Sequence, residues 1–108
     1  MISHETIRTM AARIAERFHP QKIVLFGSYA RGDATENSDV DLLVIVEGLS
    51  PRGKRSAPII QMLAEEYPLP VDVIVRPSSA LEQWKDIPGT FAHRVSEEGI
   101  VLYEREQQ

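Results

Sequence analysis

The chain has 108 residues and a net charge of −4, which is the size of one ordinary domain and too small for two independent hydrophobic cores. Hydrophobic residues make up 43% and charged residues 26% of the chain, a balance typical of globular proteins and unlike that of disordered or collagen-like chains. Cysteine is absent, which excludes disulfides, thiolate nucleophiles and cysteine-ligated zinc.

No membrane segment is expected, because the longest apolar run, residues 42–46, is far below the roughly 20 residues that a spanning helix needs. The N-terminus has no apolar stretch of signal-peptide type. We therefore expect a single domain over residues 1–108, in the cytoplasm by default. Because the acidic balance differs from that of proteins that grip phosphate backbones, direct duplex nucleic-acid binding is not expected.

Helical spacing of apolar residues is clearest near the N-terminus. The stripe over residues 7–18 predicts a helix with one buried face, with Ser3 as its N-cap and Pro20 after its end. The same reasoning predicts three further helical segments, at residues 56–67, residues 81–84 and residues 88–98.

Short aliphatic and β-branched runs predict strands at residues 23–26, 40–46 and 71–75, with a last extended segment at residues 100–102. Strands that alternate with helices in a small domain favour a two-layer α/β or α+β fold. We expect helices to cover one face of the sheet and the other face to stay open.

Two aspartates begin the second strand, and a third lies in the next one. Asp39 and Asp41 are two residues apart, so both side chains point to the same face of the sheet. Two carboxylates held this close repel each other, whereas a divalent cation reverses the sign of that interaction. If the third strand is a neighbour, Asp72 completes a three-acid cluster able to hold two metal ions for nucleotidyl transfer.

A plainer interpretation of these acids stays open at this point. Asn37 and Ser38 come directly before Asp39, and such a sequence is often only a solvated turn. Asp72 is harder to explain in this way, because it interrupts an apolar run in which an unpaired buried charge would be costly.

Gly27 and Ser28 follow the first strand, where a glycine turn lets the backbone approach a phosphate closely. The spacing from Gly27 to Gly32 imitates a P-loop, but Asp33 and Ala34 stand where that loop needs Lys and Ser or Thr. Taken alone, Gly27 is better explained as the end of a strand, and only its combination with Asp39 and Asp41 favours a phosphate site.

Together these residues resemble a known signature. Gly27-Ser28, ten further residues and then Asp39-x-Asp41, within the string GSYARGDATENSDVDLLV, resemble the minimal nucleotidyltransferase branch of the DNA polymerase β superfamily. The resemblance continues through the third acid in VDVIV to the closing GIVLYER. It implies the nucleotidyltransferase fold, a small mixed sheet with helices on one face.

The resemblance also implies roles for particular residues. Two Mg²⁺ ions would be held by Asp39, Asp41 and Asp72, and ATP would be the nucleotide substrate. Ser28 and the backbone around Gly27 would hold its terminal phosphates, with help from Arg31. Asp72 is also expected to be the base that acts on the attacking hydroxyl.

The resemblance suggests a partner as well, because 108 residues leave no space for the acceptor-binding domains of larger relatives. Minimal members are typically paired with a helical toxin of the HEPN type, so we expect an antitoxin that transfers AMP to a tyrosine of that partner. Two alternatives stay open: a non-catalytic antitoxin module, and an adenylyltransferase for small molecules of the aminoglycoside kind.

Several other residues have weaker expectations. Leu43 and Ile45 share the face of the acids, where they either form an exposed partner surface or pack under the C-terminal helix. For Trp84 there are two interpretations, stacking on a nucleotide base or packing at the edge of the core, and Leu81 three residues earlier favours the core edge. The basic residues Arg52, Lys54 and Arg55 are expected in a solvated loop.

Overall fold

A computed structural model describes residues 2–47, 56–67 and 70–105. Arg52, Lys54 and Arg55 lie outside these residues. The described part alternates helices and strands in the order α1 His4–Phe18, β1 Lys22–Phe26, α2 Ser28–Arg31, β2 Val40–Val46, α3 Ser56–Glu66, β3 Val71–Pro77, α4 Ser78–Trp84, α5 Phe91–Glu98 and β4 Ile100–Glu104. Within it, no helix is long and apolar enough to span a membrane.

The first helix begins and ends as the sequence predicts. The Ser3 side chain accepts a hydrogen bond from the Thr6 backbone N–H at 3.1 Å and caps α1. The chain leaves the helix through His19, whose φ of 50° lies in the left-handed region. Pro20 follows and is buried. Helix α1 therefore ends just before the proline, as the sequence predicts.

The four strands form one mixed sheet in the order β3-β2-β1-β4. β1 pairs antiparallel with β2 and with β4, whereas β2 and β3 run parallel. The parallel pair is connected through α3, since parallel neighbours need a crossover segment. The predicted mixed sheet with helices is therefore confirmed.

The main core lies between one face of the sheet and the helices α1, α2 and α3. Alternate residues of the strands point into it, as the two-residue period of a strand requires. Its most deeply buried members are Ile7, Met10, Ala11, Ile14, Ile23, Leu25, Val40, Leu42, Val44, Ile59 and Leu63.

The second face of the sheet is not open along its whole length. Leu43 is 0% and Ile45 is 6% exposed, because Val95 of α5 and Leu81 of α4 pack with them in a second apolar cluster. Of the two expectations for Leu43 and Ile45, packing under the C-terminal helix is correct and the exposed partner surface is wrong. Trp84 is also outside the expected core edge, with 46% of its surface exposed.

Candidate active site

The register of the parallel strands places two of the predicted acids side by side. Asp41 of β2 is paired with Asp72 of β3, and Phe26 of β1 lies opposite Asp41 on the other side. Neighbouring strands are about 4.8 Å apart, and residues in register point to the same face. Asp39 precedes Asp41 by two residues, just before β2 begins. The sheet therefore places Asp41 and Asp72 side by side on its second face, with Asp39 directly before the start of β2.

The three acids differ in their contact with solvent. Asp41 is partly buried, whereas Asp39 and Asp72 are exposed. The sequence expectation that Asp72 is a costly buried charge is thus wrong, because Asp72 is the second residue of β3 and lies at the exposed start of that strand. The accessibility of Asp72 suits a group that must reach a substrate.

Asp41 shows that the cluster is electrostatically strained. Burial raises the pKa of Asp41 above its usual value of 3.8, and the negative charges of Asp72 and Asp39 raise it further, while Arg31 acts in the opposite direction. A carboxylate whose charged form is disfavoured by burial and by like charges is stabilised by a nearby cation.

The donor set fits a hard divalent cation, because Mg²⁺ prefers carboxylate oxygens and completes its shell with substrate phosphates and water. The described residues contain no group of three acidic or histidine side chains that already converges on one metal position. The assignment of Asp39, Asp41 and Asp72 as metal ligands therefore stays a prediction.

The glycine turn after β1 lies directly against this cluster. Gly27 has φ of 75° and ψ of −155°, a backbone conformation that is essentially restricted to glycine. A Cβ built on Gly27 would collide with the Asp41 carboxylate and would lie 3.1 Å from its Cγ atom. Gly27 and Asp41 belong to separate motifs in the sequence, but in the structure they are in contact.

Gly27 is the N-cap of the one-turn helix α2, whose first residue is Ser28. The Gly27 carbonyl accepts hydrogen bonds from the backbone N–H groups of Ala30 and Arg31 at 3.1 and 3.0 Å. These bonds fix the turn that contains Ser28 directly after Gly27. The phosphate-binding roles of Gly27 and Ser28 stay predictions.

Arg31 ends α2 and lies between acidic side chains. Its Nε donates a hydrogen bond to Asp33 Oδ2 at 3.3 Å, and its Nη1 is 3.6 Å from Glu98 Oε2 at the end of α5. Sequence reasoning found Arg31 through its motif but missed Glu98, which is far away in the chain and carries no local signal. Only the packing of α5 beside β1 brings them together.

A groove with a volume of about 440 Å³ lies further along the same face, and none of the three acids lines it. Lys22, Ile45 and Val101 are among its lining residues. Ile45 is four positions along β2 from Asp41, a distance of about 13 Å at the usual rise of a strand. The groove is therefore distinct from the acid cluster.

A mixed sheet that holds paired carboxylates beside a glycine turn is the arrangement of an enzyme that transfers nucleotides. The nucleotidyltransferase domain family matches residues 7–99 of the chain. The chain belongs to this family and is a nucleotidyltransferase.

Relatives of known name match most of the chain. A Methanocaldococcus jannaschii protein that carries the provisional name of protein adenylyltransferase is 38% identical over 79 residues, covering 73% of this chain and 75% of its own. The protein adenylyltransferase MntA of Thermococcus cleftensis is 38% identical over 65 residues, covering 60% of this chain and 65% of its own.

Solved structures share the fold at low sequence identity. A toxin-antitoxin complex crystallised with AMP-PNP contains a chain with a TM-score of 0.61 and 22% identity, covering 92% of this chain and 74% of that one. A complex of tri-AMPylated Shewanella oneidensis HEPN toxin with its MNT antitoxin gives a TM-score of 0.58 and 18% identity, covering 95% and 74%. These similarities confirm the nucleotidyltransferase fold.

Proposed function

We propose that the protein is a Mg²⁺-dependent protein adenylyltransferase that transfers AMP from ATP to a tyrosine hydroxyl of a HEPN-type toxin, and so acts as an antitoxin. One observation carries the chemistry: Asp41 is in register with Asp72 and in contact with the Gly27 turn. The acceptor rests on the relatives, which are named protein adenylyltransferases, and on the toxin complexes that share the fold.

Each side chain has a role that its position supports. Asp39 and Asp41 would hold the metal ions, with Asp72 as a further ligand, and bound Mg²⁺ supplies charge neutralisation for the triphosphate. The Gly27 backbone and the Ser28 hydroxyl bind the terminal phosphates, with Arg31 assisting. An N–H or O–H donor to a charged phosphate contributes about 1.5 to 3 kcal/mol.

The transfer itself is a displacement at phosphorus. The tyrosine oxygen attacks the α-phosphorus of ATP, a new phosphorus–oxygen bond forms, and the bond to the β-phosphate bridging oxygen breaks, so pyrophosphate leaves. Asp72, exposed at the edge strand β3, accepts the proton of the hydroxyl as general base. Its exposure lets the hydroxyl of a large partner reach it.

The decisive experiment incubates the purified chain with radiolabelled ATP, Mg²⁺ and the product of the neighbouring gene, followed by intact-mass and peptide mass spectrometry of both chains. We expect a gain of one AMP on a tyrosine of the partner. Asp41→Asn should abolish the gain, whereas Asp86→Asn, which neutralises an exposed acid outside the cluster, should leave it unchanged.

Two results would contradict the proposal. Neutralisation of the toxin without any mass gain, and equally well by Asp41→Asn, would identify a non-catalytic binding module. Efficient adenylylation of aminoglycosides or other small hydroxyl compounds, with the partner ignored, would identify a small-molecule enzyme instead.

A further inference from the structure

Arg31 and Glu98 make a contact that joins two distant parts of the chain beside the acids. Each is the last residue of its helix, Arg31 of α2 and Glu98 of α5, and their Nη1 and Oε2 atoms are 3.6 Å apart. Helix α2, which ends at Arg31, begins directly after Gly27, and Gly27 is in contact with the Asp41 carboxylate. The Arg31–Glu98 pair therefore belongs to the segment that lies next to the acids.

Glu98 is a carboxylate in an unfavourable position for its own helix. The C-terminus of a helix carries partial negative charge, Glu97 stands beside it, and the last turn of α5 has no basic residue. Within the described residues, Glu98 Oε2 is shielded from solvent and accepts no hydrogen bond. The negative charge of Glu98 is therefore not stabilised by its own helix, whereas the guanidinium of Arg31 lies close enough to stabilise it.

The backbone that carries Glu98 is fixed against the sheet. A Cβ on the next residue, Gly99, would lie 2.5 Å from the Val95 carbonyl oxygen and 2.7 Å from Val24 Cγ1. Such distances leave no space for any side chain, so only glycine lets the end of α5 approach β1 this closely. The residue that follows Glu98 is consequently packed closely against β1.

We propose that Glu98 is a positioning residue that orients the Arg31 guanidinium toward the phosphates of the bound nucleotide. The inference rests on the proposed function, which gives Arg31 a phosphate-binding role. Asp33 contacts Nε and Glu98 contacts Nη1, so two edges of a planar group are held while further N–H donors stay available for an anion. Without Glu98, the Arg31 side chain would have to be ordered when the nucleotide binds, and this loss of conformational freedom would weaken binding.

The test is a double-mutant cycle on nucleotide affinity, measured by calorimetry of the full chain with Mg²⁺ and AMP-PNP. Glu98→Gln keeps the size of the side chain and removes its charge. We expect roughly three- to tenfold weaker binding, the cost of ordering one long side chain. Arg31→Gln should weaken binding at least as much, and the double variant should bind like Arg31→Gln alone.

Glu97→Gln is the matched control, because it makes the same charge change one residue away, on a side chain whose carboxylate is 4.0 Å from His93 Nε2. It should bind AMP-PNP like the parent. Melting temperatures of all variants are measured by circular dichroism, and neither neutralisation should lower them, since both remove negative charge from a helix C-terminus. Glu98→Ala is measured as a second variant, with the same dependence on Arg31 expected.

The outcomes separate this inference from the proposal on which it rests. Parent-like binding by both Glu98 variants, or an equal loss with and without Arg31, would overturn the positioning role while leaving the proposed function intact. A parent chain that does not bind AMP-PNP at all would overturn both.

Discussion

At the scale of single residues, the acids and the glycine turn are one unit rather than two motifs. Asp41 is partly buried, and Gly27 lies against its carboxylate. Because Gly27 packs closely on a charged group, substitutions at Gly27 or Asp41 are expected to alter both the stability of the fold and the binding of nucleotide. Two predictions separate the effect on stability from the effect on binding.

The first prediction is that ionised Asp41 lowers the free energy of unfolding of the metal-free protein. The pKa of Asp41 is raised in the folded state, chiefly by burial and then by Asp72 and Asp39, so its ionised form disfavours folding. The free energy of unfolding therefore falls as the pH rises from the usual Asp value toward the raised one. In chelator at pH 7, Asp41→Asn should melt above the parent.

The pH dependence of this difference is its control. Below the ordinary pKa of aspartate the carboxyl is protonated in both the folded and the unfolded chain, so the gain from Asp41→Asn should vanish near pH 3. Asp86→Asn should show no comparable gain. A variant that melts below the parent at pH 7 would mean that the cluster is not under like-charge repulsion.

The second prediction compares two glycines with positive φ. Gly27→Ala should cost about 1 to 3 kcal/mol of stability, since its backbone conformation is one that only glycine adopts easily, and it should also abolish AMP-PNP binding by pressing on Asp41. Gly32 has φ of 87°, and no atom lies within 4 Å of a Cβ built there. Gly32→Ala should cost only about 1 to 2 kcal/mol and keep nucleotide binding.

Thermal melts and calorimetry on the two alanine variants decide the matter. Equal nucleotide affinity in Gly27→Ala and Gly32→Ala would show that the turn after β1 is not part of the binding site.

Sequence reasoning at this scale succeeded where a local rule applied. The period of two along a strand is enough to place Asp41 on the same face as Leu43 and Ile45, whereas the shared face of Asp39 and Asp41 stays a prediction because β2 begins at Val40. The exposure of Asp72 was not predictable from its apolar neighbours in the chain, because it depends on which end of the face the helices cover. Glu98 was missed, since nothing near it in sequence marks a partner for Arg31.

At the scale of elements, the important relationship is how α5 lies on the second face of the sheet. Phe91 of α5 and Phe26 of β1 meet edge to face, with ring centroids 5.2 Å apart and planes at 83°. Val95 packs over Leu43 in the same cluster. Helix α5 thus covers part of the face, whereas Asp39 and Asp72 stay exposed.

The positions of the strands could be predicted from the composition of each segment, but the packing of α5 over the second face of the sheet could not. Leu43 and Ile45 have the same alternation whether a helix or a partner buries them, so sequence left both interpretations open. The choice depends on where the short α5 docks, which is a tertiary property with no separate signal in its eight residues.

The third prediction tests that cover. Leu43 is fully buried, so Leu43→Ala should lower stability by about 2 to 5 kcal/mol in the isolated chain, through lost burial and a residual cavity. Ile60, on α3, is 38% exposed, and Ile60→Ala should change stability by no more than about 0.5 kcal/mol. Urea unfolding of both variants measures the difference, and similar small losses at the two positions would mean that the face under α5 is open in solution.

At the scale of the whole molecule, charge and shape favour a small anionic ligand with a metal over a nucleic-acid duplex. The chain carries a net charge of −4, and Asp41 and Asp72 lie side by side on one face of the sheet. A duplex would need cations on the surface to replace its counterions. A nucleoside triphosphate would bring its own divalent ion to these acids.

The last prediction follows from mass action on the folded state. A ligand that binds only the native chain raises the free energy of unfolding by about 2.7 kcal/mol when its concentration is a hundred times its Kd, and for a domain of this size that shifts the melting temperature by roughly 10 to 20 °C. AMP-PNP with Mg²⁺ should produce such a shift, AMP-PNP in chelator should not, and Asp39→Asn or Asp72→Asn should reduce it. Duplex DNA at low salt serves as the contrasting anion. A stabilisation by DNA that matches that of the nucleotide, and that fades as salt is added, would overturn the assignment of these acids to a metal-bound nucleotide.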